Sequence, residues 1–116
     1  RTDFVKYAGA SGDFSRTHFD EPYALNGGHP SVFAHGMLIA GYASNMVDEW
    51  VGPKNIRRIR TRFTARVFPG STLEFAGEIT EISYKENLID VEFEAVDEDG
   101  TVVLTGDATA AVRTRE

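Results

Sequence analysis

An aspartate and a histidine, Asp13 and His18, stand five positions apart in the stretch Tyr7-Ala8-Gly9-Ala10-Ser11-Gly12-Asp13-Phe14-Ser15-Arg16-Thr17-His18. A carboxylate and an imidazole turned toward one point can hold a water molecule and exchange protons with it. Histidine titrates near neutral pH, and a neighbouring carboxylate fixes its tautomer or shares the acid–base work. Gly9 and Gly12 punctuate the stretch, so a turning loop can bring the two side chains face to face. On spacing alone a blander reading has the advantage: Asp13 caps a following turn and His18 is an ordinary, partly buried histidine. His29 falls in a Gly/Pro loop and is expected at the surface, while His35 is expected to order its loop through hydrogen bonds. The histidines lack the spacing of a metal-binding set, so no metal is assigned.

The elements around this pair divide the chain in two. Residues 2–9 place Phe4, Val5, Tyr7 and Ala8 at helical spacing behind Thr2 as a cap, and Gly9 and Gly12 end the pattern. Residues 20–25 read as a short helix with Asp20 as N-cap and Pro22 in the first turn, where its missing N–H costs nothing. Asn26-Gly27-Gly28-His29-Pro30 is a loop. From His35 to Trp50 runs the longest helical candidate, rich in small and apolar residues on most faces and therefore expected to be buried, with Gly52-Pro53 closing it. Beyond Pro53 the period changes to two, giving strands over 56–67, 72–82, 88–96 and 102–113, with a hairpin turn at Asp99-Gly100. Each strand has one apolar face, so the fold expected is α+β, an antiparallel sheet wrapped around a long central helix. Four short strands do not cover such a helix, and a partner's sheet is expected to complete the burial.

With 116 residues the chain is expected to form one domain over 1–116. A hydrophobic fraction of 41% excludes general disorder. No apolar run is long enough for a bilayer span and no signal-peptide pattern opens the chain, which fits a cytoplasmic protein. The absence of cysteine removes disulfides and thiolate metal sites. A net charge of -6 argues against general nucleic-acid binding. The first residue is Arg1 and not methionine, as in a trimmed chain or half of a longer one with its N-terminal strand absent.

The segment YAGASGD, with His18, Asp20 and Ala24 following at their present spacing, resembles the hydratase signature of the MaoC-like dehydratases and (R)-specific enoyl-CoA hydratases. A second motif of that family follows in order as Ala34-His35-Gly36-Met37-Leu38, and Phe63-Thr64-Ala65 falls where the family has its first long strand. The resemblance covers nearly the whole chain. It implies a hot-dog fold and reversible addition of water across a trans-2-enoyl thioester, giving the (R)-3-hydroxy product. It further implies that Asp13 and His18 activate or deliver the water, that the backbone N–H of Gly36 donates to the thioester carbonyl, and that Ser44 belongs to the substrate site. A helix start offers free N–H groups and a positive dipole end for the charge that develops on that carbonyl. Gly36 also admits a packing role, and Ser44 equally suits a packing serine on a buried helix. The expected substrate is an acyl-CoA or acyl-carrier thioester with no further cofactor. The expected partner is a second hot-dog subunit, identical or different, with neither nucleic acid nor membrane involved.

One departure stands out. The family usually carries Asn-Pro-hydrophobic where this chain has Ser15-Arg16-Thr17, which predicts a looser Asp13–His18 geometry or support from a partner chain, with Arg16 placed to alter the pair's pKa values. Arg58, Arg60, Arg62 and Arg66 form a stripe that fits either a landing strip for coenzyme A phosphates or an acidic carrier protein, or ion pairing with the acidic faces of neighbouring strands. Two other functions compete with hydration. One is a thioesterase using Asp48 or Glu49, and the other is a non-catalytic hot-dog subunit that shapes an acyl tunnel for an active partner.

Overall fold

Three helices, α1 (Thr2–Ser11), α2 (Glu21–Asn26) and α3 (Gly36–Val51), precede four strands, β1 (Ile56–Phe63), β2 (Glu74–Ser83), β3 (Leu88–Val96) and β4 (Val102–Ala111). A 3-10 turn, Arg16–His18, lies between α1 and α2. The computed structural model describes residues 1–52 and 54–112; Pro53, expected to help close α3, and Arg113, expected to end the last strand, lie outside them.

The strands form one antiparallel sheet in the order β1-β4-β3-β2. The two central strands carry the buried alternation: Ile89, Val91, Phe93 and Ala95 in β3, and Leu104, Ala108 and Ala110 in β4, while Glu92 and Glu94 face water. Against this face α3 packs Ile39, Ala40, Ala43 and Val47, which its 3.6-residue period places on one side. The expected α+β arrangement, a sheet wrapped on a long helix, is the arrangement found. The burial of α3 is less complete than its composition suggests. Met37, Tyr42 and Trp50 remain exposed, as do Ile79 and Ile82 on the edge strand β2.

Two local expectations need correction. Thr2 does not cap α1; it lies inside the first turn, with Arg1 at the N-cap position. β1 ends at Phe63 and not at residue 67. Thr64 still donates from its N–H to the Val103 carbonyl at 3.0 Å and from its hydroxyl to the Val102 carbonyl at 2.6 Å. Beyond it the backbone leaves the sheet, and the Val67 carbonyl accepts from the Ala34 N–H at 2.7 Å. Residues 64–67 thus tie the sheet to the segment that enters α3. The hairpin turn at Asp99-Gly100 forms as expected, Gly100 adopting φ 82° and donating to the Asp97 carbonyl.

Gly106 lies where β4 passes between β1 and β3. A Cβ there would lie 2.4 Å from the Phe93 ring and 2.5 Å from the Arg60 carbonyl oxygen. The Arg60 carbonyl belongs to the β1 backbone and the Phe93 ring is buried in the core, so neither yields cheaply. Gly106→Ala is expected to destabilise the chain by about 1–3 kcal/mol, the usual range for overpacking, measured by urea denaturation.

Candidate active site

Gly12 turns the chain out of α1. It adopts the left-handed conformation (φ 78°) and its N–H donates to the Ala8 carbonyl at 2.9 Å. The next residue, Asp13, has a half-exposed side chain whose two oxygens serve different ends. Oδ1 accepts the Ser15 N–H at 3.2 Å, while Oδ2 lies 3.8 Å from Nε2 of His18. Asp13 therefore caps the turn with one oxygen and faces His18 with the other.

His18 is the less accessible partner, its side chain 11% exposed against 52% for Asp13. Its Nδ1 donates to the Phe33 carbonyl at 2.7 Å, an oxygen that can only accept. In the neutral ring the proton is thereby placed on Nδ1, and Nε2 is left as a lone pair facing the carboxylate. Two acceptors 3.8 Å apart do not bond each other, but both can accept from one water molecule.

His35 lies beneath this pair. Its ring stacks on that of His18, with centroids 3.8 Å apart and planes 23° from parallel. Its Nε2 donates to the Asp13 backbone carbonyl at 2.9 Å, as expected of a residue that orders the loop. The fold also places ligand-type atoms of Asp13, His18 and His35 within 4.8 Å of one another, a grouping their sequence spacing does not suggest. Near-parallel imidazoles direct their in-plane lone pairs side by side and not at one point, and each ring commits a nitrogen to a carbonyl. Within the trio one hydrogen bond, from His35 to the Asp13 carbonyl, and one ring stack hold the groups together. His29, expected at the surface, is half-buried with its ring against Phe33, centroids 4.8 Å apart.

The Ser15-Arg16-Thr17 departure carries its own support. Ser15 and Thr17 join hydroxyls at 3.1 Å, and the Thr17 carbonyl accepts the Phe33 N–H at 3.2 Å. Arg16 turns away from Asp13 and grips Asp20 through Nε at 3.0 Å and Nη2 at 2.8 Å, with its guanidinium over the Tyr23 ring. Asp20 in turn caps α2, accepting from the Tyr23 N–H at 3.3 Å, as the sequence predicts. The Arg16 guanidinium, helped by the Tyr23 N–H, holds the Asp20 carboxyl below its usual range. A carboxyl depressed on folding adds stability that is present above its unfolded pKa and is lost as pH falls through the folded value. Asp20→Asn keeps the capping oxygen but loses the charge. The parent's Tm is expected to exceed that of Asp20→Asn at neutral pH, and the gap to close on acidification below the ordinary aspartate value of 3.8.

Gly36 opens α3 directly behind the N-cap His35. It lines a cleft of about 370 Å³ with Phe33, Ile39, Phe63, Arg66 and Val67 among its walls. A Cβ on Gly36 would approach the Phe63 ring to 3.0 Å, so this glycine has a packing role, and as the first residue of the helix its N–H has no intrahelical partner. Phe33 joins the two halves of the site, since it lines the cleft and its carbonyl orients His18. Ser44 stands apart. It lies two turns along α3, about 12 Å from Gly36 along the axis, half-buried and outside this cleft. Asp48 and Glu49 are further still, near the far end of the helix. A larger concavity of about 820 Å³ lies on the sheet among Arg60, Arg62, Glu78, Glu92, Glu94 and Asp107, with mixed charge and none of these site residues. Within it Arg60 forms the cross-strand ion pair with Asp107, at 3.2 Å, whereas Arg66 sits over the Phe33 ring at the cleft. The arginine stripe is therefore two features and not one.

Sequence reasoning did not foresee Phe33 or the His18–His35 stack. Phe33 acts through its backbone carbonyl, which carries no residue-type signal.

The chain is 37% identical over 73 residues to a probable enoyl-CoA hydratase 2 of Dictyostelium discoideum, covering 60% of this chain and 25% of that protein. It is 36% identical over 64 residues to the peroxisomal hydratase-dehydrogenase-epimerase of Saccharomyces cerevisiae, covering 55% of this chain and 7% of that protein. The chain thus spans a quarter or less of these curated relatives. Among solved structures, the (R)-hydratase PhaJ1 of Pseudomonas aeruginosa superposes with a TM-score of 0.86 at 27% identity, covering 97% of this chain and 74% of that one. The ChsH1-ChsH2 complex of Mycobacterium tuberculosis superposes at 0.85 with 26% identity, covering 95% and 85%. An (R)-hydratase from A. caviae, at 0.89 and 21% identity, covering 97% and 86%, shares the fold. The model of the MaoC like domain matches residues 1–100, and the chain belongs to that family.

Proposed function

We propose that this chain catalyses (R)-specific hydration of trans-2-enoyl thioesters and the reverse dehydration of (R)-3-hydroxyacyl thioesters. The observation that carries this reading is the pairing of two acceptors, Asp13 Oδ2 and the lone pair on His18 Nε2, 3.8 Å apart. A water donating to both presents its own oxygen lone pairs to the substrate. As that oxygen bonds to C3, the pair takes up one proton of the water, and a proton is returned to C2, so hydrogen and hydroxyl are both accounted for. Negative charge develops on the thioester oxygen meanwhile, and the Gly36 N–H at the start of α3 is the donor assigned to it. The catalytic roles of Asp13 and His18 and the binding roles of Gly36 and Ser44 are part of this proposal, Ser44 with the least geometric support. The substrate class is an acyl-CoA or acyl-carrier thioester.

The partner proposed is a second hot-dog subunit, identical or different. The exposed Met37, Tyr42 and Trp50 of α3 and the exposed Ile79 and Ile82 of β2 are the surface that supports it. No helix among the described residues is long and apolar enough to cross a membrane.

The test is incubation with a short trans-2-enoyl-CoA. Loss of the conjugated thioester absorbance without release of free thiol is the expected result. Release of thiol would mean a thioesterase, and no change with short or long acyl chains would sink hydration by the chain itself.

A further inference from the structure

We infer that His35 is a positioning residue that sets Asp13, His18 and the Gly36 N–H relative to one another; this rests on the hydratase reading above. Its side chain is almost fully enclosed, the residue being 2% exposed, and among the described residues it is the one buried polar residue. Two side-chain contacts and one backbone position meet in it. The Nε2–H bond to the Asp13 carbonyl fixes the backbone from which the carboxylate springs. The stacked ring gives the His18 imidazole a floor, so that Nε2 keeps its direction toward Asp13. The His35 backbone is the N-cap of α3, one peptide bond before Gly36. A displacement of this one side chain therefore disturbs both halves of the site.

The remaining nitrogen distinguishes this arrangement from ordinary core packing. Nε2 bears the proton given to Asp13, so Nδ1 is an acceptor, and it is buried without a hydrogen-bond partner among the described residues. A buried acceptor left unpaired is costly, and a leucine would fill the space without that cost. On stability alone the site does not favour histidine. What histidine supplies is a flat ring to stack on His18 and a donor for the Asp13 carbonyl. Tyr7 sets its edge against the ring, centroids 4.9 Å apart, and keeps it upright.

Two variants separate these functions. His35→Leu fills the space but has neither donor nor ring. His35→Gln carries an amide N–H₂ at the distance of Nε2 and restores the bond to Asp13. Activity toward an enoyl-CoA is measured together with Tm and with amide hydrogen exchange at Ser15 and His18. The exchange readout needs no substrate, and both amides are bonded within the Asp13–His18 loop. For His35→Leu the expected result is a Tm equal to or above the parent's, a kcat reduced at least tenfold with KM within about threefold, and loop exchange at least fivefold faster. His35→Gln is expected to recover the parent's exchange but only part of kcat, because it restores the donor to Asp13 and not the ring under His18. Parent-like loop exchange in His35→Leu would overturn the inference, whatever the activity. So would a parent-like kcat in that variant. A parent chain inert toward every enoyl thioester would instead strike at the hydratase reading, and the exchange data would still decide the role of His35.

Discussion

Asp13→Asn and His18→Ala are each expected to lower kcat for enoyl-thioester hydration by about 10²- to 10⁴-fold, the range for removing a positioned acid–base group. The asparagine variant is the sharper instrument. Its side-chain oxygen can still accept the Ser15 N–H, so the turn after α1 survives and the loss falls on the charge facing His18. Removing His18 takes away more: the bond to the Phe33 carbonyl and the stack on His35 both vanish. Because the two groups hold one water, the double variant is expected to be scarcely worse than either single one, as for residues that act as a unit. Steady-state kinetics on the two single variants and the double, with circular dichroism as the folding control, provide the check. Losses that multiplied in the double variant would mean that the groups act separately.

The second large effect is expected at Gly36, where steric and electrostatic roles can be taken apart. Proline is tolerated at the first position of a helix, where the N–H has no intrahelical partner. His35 precedes it with φ -60° and ψ 135°, a conformation that suits the residue before proline. Gly36→Pro thus deletes the donor while leaving α3 able to form. Gly36→Ala keeps the donor and adds a similar Cβ against the Phe63 ring, which is about half exposed and can yield. The alanine variant is expected to lose less than about tenfold in kcat, a loss smaller than the removal of a donor produces. The proline variant is expected to lose about 10²- to 10³-fold, the magnitude for removing one oxyanion donor. Equal losses in both would assign Gly36 to packing alone.

Much of this was readable from residue order because local chemistry governed it. Asp20 followed by Pro22 announces a capped helix, and the alternation over 88–96 announces a strand with one buried face; both are found. The Asp13–His18 approach came from the family resemblance, because spacing alone favoured a turn cap and an ordinary histidine, although Gly12 does turn the chain between α1 and the 3-10 turn. The segment 64–67 was not. Its alternation matches a strand, yet an extended segment bonded to a loop has the same period as one in a ladder, and only the Ala34–Val67 contact distinguishes them. The support of the Ser15-Arg16-Thr17 loop was equally hidden. Proline stiffens a backbone locally, whereas Arg16 does so through Asp20 and the Tyr23 face, a contact set by where α2 falls. The stacking of His18 on His35 joins residues seventeen positions apart and has no local signature at all.

The most direct test of the central claim is the configuration of the product. A trans-2-enoyl-CoA is incubated with the chain, the product thioester is hydrolysed, and the 3-hydroxy acid is resolved by chiral chromatography. The (R) enantiomer is expected in large excess, its formation lost in Asp13→Asn. The (S) enantiomer, a racemate, or (R) product formed equally well by Asp13→Asn would contradict the claim.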